Sequence, residues 1–138
     1  MNPRSLVVAS LLLLVPASAA ADDELAATMT CERAAQPGRV RCAAEVKVTG
    51  DRTLAWADVT LVELPENTSA LKGRIGPADT TARDASHAAW AFGLVARKAG
   101  QGDARAKVRA VVCASADGGA PSCTPRTVEI TAKVVVGG

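Results

Sequence analysis

The sequence predicts an all-β fold made of two packed antiparallel sheets. Three features predict it: several segments alternate apolar and polar residues with a period of two, turns rich in Gly and Pro separate them, and four cysteines follow an N-terminal leader. Tyrosine is absent, and Phe92, Trp56 and Trp90 are the only Phe and Trp residues. The core must therefore be built mainly from Val, Ala and Leu.

The first residues have the composition of a secretory signal peptide. Arg4 precedes a largely apolar run over residues 6–15, and small residues then lead into the acidic segment 22–24. The run is about half as long as the roughly 20 residues that span a bilayer. We therefore expect no stable membrane span once the leader is removed.

Overlapping A-x-A motifs in residues 17–21 place the expected cleavage between Ala19 and Asp22. We assign residues 1–20 to the signal peptide and residues 21–138 to one β-sandwich domain, because this length suits a single core. The assignment predicts an exported protein, located in the periplasm or outside the cell.

Alternation defines the long strands. Residues 40–49, 104–112 and 127–136 alternate throughout, which is typical of strands with one buried face. A first strand is expected near residues 28–33, and residues 54–64, apolar on both faces, form another. The predicted core consists of Val46, Val48, Leu61, Trp90, Phe92, Leu94, Val108, Ala110, Val112, Ile130 and Val134.

The remaining segments are less regular. Residues 86–98 contain several alanines that would suit a helix, but Trp90 and Leu94 share one face at strand period, so a strand is favoured. Residues 71–85 read as a long connection that crosses between the sheets, and residues 100–103 read as a turn. Six to seven short strands result, which predicts a sandwich of immunoglobulin-like architecture.

Four cysteines in an exported domain predict two disulfides. The order of Cys42, Trp56 and Cys113 resembles that of the strand-B cysteine, strand-C tryptophan and strand-F cysteine of immunoglobulin domains. That resemblance implies a Cys42–Cys113 bridge. It does not extend to Val111, which stands where the tyrosine of the corner motif would be.

The alternation pattern favours different pairs. Cys42 shares the inward face of its strand, whereas Cys113 and Cys123 share the outward faces of theirs. An inward and an outward cysteine meet only if a bulge intervenes. We therefore predict the local pairs Cys31–Cys42 and Cys113–Cys123, each stapling two neighbouring strands.

No residue pattern predicts catalysis, a cofactor or a metal. His87 is the only histidine and is expected on a solvent-facing strand position. To act as a glycosidase pair, Asp58 and Glu63 would have to face each other across a cleft. We expect both of them at the protein surface instead. Trp56 and Trp90 are expected in the core, with an exposed tryptophan at a partner site as the alternative.

These observations favour an exported, non-catalytic module that binds a protein or cell-envelope component, or serves as a structural subunit. The alternative is a secreted inhibitor that inserts a disulfide-held loop, residues 117–122 or 34–39, into the cleft of a target. A small hydrolase ranks last because only one histidine is present. A net charge of +2 with interspersed signs, and few aromatic residues, predict no nucleic-acid partner.

Overall fold

A computed structural model of the chain describes residues 19–21, 24–115 and 118–138. Most of the predicted signal peptide therefore lies outside the described residues. Within them there is no helix long and apolar enough to cross a membrane. The described residues form one 3-10 turn, Pro77–Asp79, and the strands β1 (Ala19–Ala21), β2 (Leu25–Cys31), β3 (Gly38–Val48), β4 (Thr53–Glu63), β5 (Thr68–Ala70), β6 (Arg74–Ile75), β7 (Thr80–Arg83), β8 (His87–Ala96), β9 (Gly100–Ala114) and β10 (Ser122–Val136).

The strands form two antiparallel sheets. Sheet I has the order β1-β2-β3-β8-β5, with β7 also paired to β8, and sheet II has the order β10-β9-β4-β6. The predicted all-β antiparallel sandwich is confirmed. Its six long strands, β2, β3, β4, β8, β9 and β10, are those that alternation predicts. The short strands β1, β5, β6 and β7 add to the six or seven expected.

Alternate residues of the long strands fill the space between the sheets. In β9, for example, Ala106 and Val108 have no exposed surface, while Lys107 between them faces solvent. Ten of the eleven predicted core residues are buried, and Leu61 is half-buried at the rim. Burial of a valine or leucine side chain contributes about 1.5–3 kcal/mol, so these positions dominate the stability of the fold.

Trp90 is the largest of the fully buried side chains. It lies on β8 opposite Ala44 of β3, and its indole Nε1 donates a hydrogen bond to the carbonyl of Gly76 at 3.1 Å. The polar atom of the ring is therefore satisfied inside the core. Residues 86–98 thus form a strand rather than a helix, as the pattern favoured.

The long connection predicted over residues 71–85 does cross between the sheets. β5 pairs with β8 in sheet I, β6 pairs with β4 in sheet II, and β7 returns to β8. The crossing carries Arg74 and Ile75 to the edge of sheet II. Ile75 is buried there, whereas Arg74 lies on the outer face.

The turn predicted over residues 100–103 is wrong, because these residues begin β9. The backbone of residues 100–103 pairs with the end of β10, so that Gly102 lies opposite Val134. The bend between β8 and β9 lies at residues 97–99. A Cβ at Gly102 would lie 2.9 Å from Cβ of Pro65. A glycine inside this strand thus reflects a close packing contact rather than a turn.

Both disulfides join residues that lie directly opposite each other on neighbouring strands. Cys31 of β2 is bonded to Cys42 of β3, and Cys113 of β9 is bonded to Cys123 of β10. These are the two local pairs that alternation favoured. Cys42 faces the core, as expected. Cys113 lies on the outer face of sheet II, also as expected, but it is buried there because Thr53 and Cys123 flank it.

Candidate functional site

A bulge in β4 determines which way Trp56 faces. Leu54 and Trp56 pair with consecutive residues of β9, so Ala55 is the extra residue of the bulge. Leu54 remains buried in the core, while Trp56 turns to the outer face of sheet II and is half-buried. Arg83 Nη2 donates to the Ala55 carbonyl at 2.8 Å. The expectation that Trp56 lies in the core is therefore wrong.

Asp58 lies two residues further along β4, also on the outer face, and is fully buried. Arg109, directly opposite on β9, donates from Nε to Oδ1 at 2.9 Å and from Nη2 to Oδ2. Arg74 of β6 donates from Nε to Oδ2 at 2.7 Å. The expected surface position of this carboxylate is wrong, because the two arginines cover it.

The two arginines fix the charge state of Asp58. Burial by itself raises the pKa of the Asp58 carboxyl, but the hydrogen bonds from Arg109 and Arg74, with their positive charges, outweigh it and hold the pKa below its ordinary value. In turn, Asp58 raises the pKa of Arg109. The carboxylate is therefore ionised throughout the physiological pH range.

The cluster of Asp58, Arg74 and Arg109 also holds the Trp56 ring in place. The guanidinium carbon of Arg109 lies 5.6 Å from the centre of the Trp56 ring, a cation–π distance. Asp58 holds this guanidinium in place, while the side chains of Arg109 and Arg74 remain 49% and 55% exposed. The arrangement presents an aromatic ring and two fixed cations to solvent.

Apolar side chains continue the surface beside Trp56. Val111 lies opposite Trp56 on β9, and Pro125 lies opposite Val111 on β10. Val111 is half-buried and Pro125 is exposed. We call the outer surface of sheet II formed by Trp56, Asp58, Arg74, Arg109 and Val111 the β4–β9 face.

Ion pairs border the β4–β9 face further along the strands. Arg105 lies 2.6 Å from Glu63 and 3.2 Å from Glu129, and all three side chains are substantially exposed. Glu63 therefore lies at the surface, as expected. Because Glu63 pairs with Arg105 and Asp58 with two other arginines, the two acids serve in separate ion-pair networks rather than facing one another as a free pair.

His87 lies on the outer face of sheet I, away from this cluster. Its Nε2 is 3.3 Å from Oε1 of Glu45. The neighbouring Ser86 hydroxyl donates to Asp84 at 3.1 Å, so serine and histidine are not joined as a nucleophile and base. Among the described residues, no group of three or more His, Cys, Asp or Glu side chains could hold a metal ion.

The two loops considered for inhibition differ in how they are held. Residues 118–122 are all exposed and are closed by the Cys113–Cys123 bridge; residue 117 lies outside the described residues. The other loop, residues 34–39, is anchored at Ala34, whose amide donates to the carbonyl of Val135 at 3.0 Å.

Comparisons with protein-family models, with curated protein sequences and with solved structures find no significant match. The residues themselves therefore carry the functional argument. Sequence reasoning missed the cluster because Asp58, Arg74 and Arg109 are distant in the chain. The one sequence signal that could have indicated a buried carboxylate is the position of Asp58 between two apolar residues, in a segment that is apolar on both faces.

Proposed function

We propose that the chain is an exported, non-catalytic module that binds a protein or cell-envelope component through the β4–β9 face. The observation that carries this proposal is the half-buried Trp56 held under Arg109 by the buried Asp58. Tryptophan and arginine are the side chains most enriched at energetically dominant interface positions. A side chain that is already fixed loses less entropy when a partner docks.

The chemistry of the face indicates its partner. Trp56 and Val111 offer apolar surface, which Pro125 extends beyond the face, and the exposed edges of Arg74 and Arg109 offer cationic donors next to it. A complementary partner places an apolar side chain on the ring and a carboxylate or phosphate against the arginines. The leader and the two disulfides support a location outside the cytoplasm.

Site-specific photocrosslinking in the native organism tests this proposal. A photoreactive amino acid replaces Val111 in one variant and Ala43, on the outer face of sheet I, in a matched control. We expect the Val111 position to give one dominant adduct that disappears when Trp56→Ala is added. Equal adducts at both positions would contradict the proposal.

The exposed loop closed by Cys113 and Cys123 supports a second candidate, a secreted inhibitor. Residues 118–122 are exposed, and the bridge limits the freedom of the loop, which favours insertion into a cleft. Replacing Pro121 by a photoreactive residue distinguishes the two. An adduct at Pro121 that survives Trp56→Ala would favour the inhibitor.

A further inference from the structure

The side chains on the outer face of sheet II lie in rows that run across the strands. Three successive rows are cross-strand pairs of β4 and β9: Trp56 with Val111, Asp58 with Arg109, and Thr60 with Lys107. Along β9 each row is two residues from the next, a step of about 7 Å in a β-strand. The surface therefore changes from one apolar row to two cationic rows at a regular spacing.

The second row keeps hydrogen-bond donors for a ligand. Arg109 binds Asp58 through Nε and Nη2, and Arg74 binds it through Nε alone. Nη1 of Arg109 and both terminal nitrogens of Arg74 make no hydrogen bond with the part of the chain that the structure describes. The two guanidinium groups lie close together, because both donate to Oδ2 of Asp58. Neighbouring guanidinium groups with unused donors are suited to binding an oxyanion.

The third row adds an unpaired cation. Lys107 is exposed, and the acid opposite it, Glu129, lies 3.2 Å from Arg105 instead. Within the described ranges, Lys107 takes part in no ion pair. Its ammonium group lies on the same face as Arg109, two residues along β9, and is open to an acid from another molecule.

The charge of these two rows favours carboxylates over phosphates. Asp58 neutralises one of the two arginines, so the second row carries one net positive charge, and Lys107 gives the third row another. Asp79, the other acid near Arg74, is paired with Lys72 at 2.7 Å. A carboxylate carries one negative charge, whereas a phosphate monoester carries nearly two at neutral pH. Two carboxylates, one for each row, match this pattern.

We propose that the β4–β9 face, together with Lys107, binds an extended acidic segment of a partner protein. In an extended chain every second side chain faces the same way, at the same step of about 7 Å as the rows. An apolar side chain of the segment packs on Trp56 and Val111. The next inward-facing residue is an acid that binds Arg74 and Arg109, and the one after it is an acid that binds Lys107. The inference rests on the proposed function, because it names the partner class of the same face.

Peptide binding to the isotope-labelled exported protein, followed by NMR, tests the spacing. Two acetylated peptide amides contain Leu-Ser-Glu-Ser-Glu and the reverse order, because the rows accept a segment running in either direction. A third contains the same residues as Leu-Ser-Glu-Glu-Ser, which turns one acid away from the face. We expect one alternating peptide to shift the indole Nε1–H signal of Trp56 and to leave that of the buried Trp90 in place. It should bind at least about three times more tightly than the third peptide.

A double-mutant cycle tests the contact with the third row. Lys107→Gln should weaken binding about threefold. Lys133→Gln removes another exposed lysine from the outer face of sheet II, outside the three rows, and as the matched control should leave binding unchanged. Replacing the peptide glutamate farther from the leucine by glutamine should cost about threefold with the unmodified protein and nothing with Lys107→Gln.

Several results would overturn the acidic segment: equal affinity for all three peptides, no shift of the Trp56 signal, or an undiminished cost of the glutamine peptide with Lys107→Gln. Displacement of the peptide by inorganic phosphate at a lower concentration than acetate would assign the rows to a phosphorylated partner and overturn it as well. If the photoreactive residue at position 111 still gave its Trp56-dependent adduct, the proposed function would stand without the segment. Loss of that adduct too would contradict both.

Discussion

Sheet II is stabilised by different interactions on its two sides. On the inner side, small apolar residues such as Ala106 and Val108 pack without exposed surface. On the outer side, Asp58 is equally buried, but arginines that reach solvent cover it. The inner side is stable only while it holds no charge, and the outer side is stable because its buried charge is paired. Neighbouring residues of β9 should therefore differ strongly in how much a mutation destabilises the fold.

The largest effect is expected at Val108. Val108→Asp places an unpaired carboxylate between the sheets, which costs more than about 4 kcal/mol and should unfold the domain. Lys107→Asn, one residue away on the exposed side, is the matched control; it has the size of aspartate but places no like charge opposite Glu129, and it should change stability by about 0.5 kcal/mol or less. Thermal unfolding followed by circular dichroism measures both. Equal melting temperatures for the two variants would contradict the register of β9.

The two tryptophans give the next comparison. Trp90→Ala removes a fully buried ring and its hydrogen bond to the Gly76 carbonyl, which keeps the Asp79 amide as a donor, so we expect a loss of about 3–5 kcal/mol from the lost packing. Trp56→Ala removes a half-buried ring from the outer face and should cost about 1 kcal/mol. Urea unfolding gives both values. A larger loss at Trp56 would mean that its ring is part of the core.

A smaller effect is expected when Asp58 loses its partners. Arg74→Met combined with Arg109→Met keeps side chains that cover Asp58 but removes their charges and donors, so the buried carboxylate is left without compensation and we expect a loss of about 2–4 kcal/mol. Adding Asp58→Asn to this variant should restore part of the stability, because the buried charge is gone. If the triple variant were less stable than the double, the desolvated charge would not be the cause.

The charge on Asp58 also predicts a pH effect that the inner side lacks. Because its pKa is lower in the folded state, the unfolded chain takes up the proton first as the pH falls below about 4. The stabilisation is complete above that pH and is lost toward the folded pKa. It changes by at most about 1.4 kcal/mol per pH unit for one group. Asp58→Asn should show a shallower decline of melting temperature below pH 4; an unchanged slope would contradict the assignment.

The inner side could be predicted from sequence far better than the outer side. Alternation identified the buried face of β9 because apolar burial leaves a local pattern. The expectation that Trp56 lies in the core rests on residue type and not on alternation. It is wrong because the bulge at Ala55 lets Leu54 stay in the core while Trp56 faces outward, and bulges have no reliable local signature. The burial of Asp58 depends on Arg109, which lies 51 residues away in the chain. Charge pairing across strands is a property of the fold, not of a segment.

The binding role of the β4–β9 face is tested most directly by comparing the half-buried Trp56 with an exposed apolar side chain on sheet I. Leu71, 55% exposed and beside Gly93 of sheet I, is the control for Trp56. Binding of purified Trp56→Ala and Leu71→Ala to the cell-envelope and secreted fractions of the native organism is compared with that of the unmodified protein. We predict that Trp56→Ala weakens binding at least about tenfold and that Leu71→Ala leaves it unchanged. Loss of binding in Leu71→Ala with full binding in Trp56→Ala would place the interaction on sheet I and contradict the proposal.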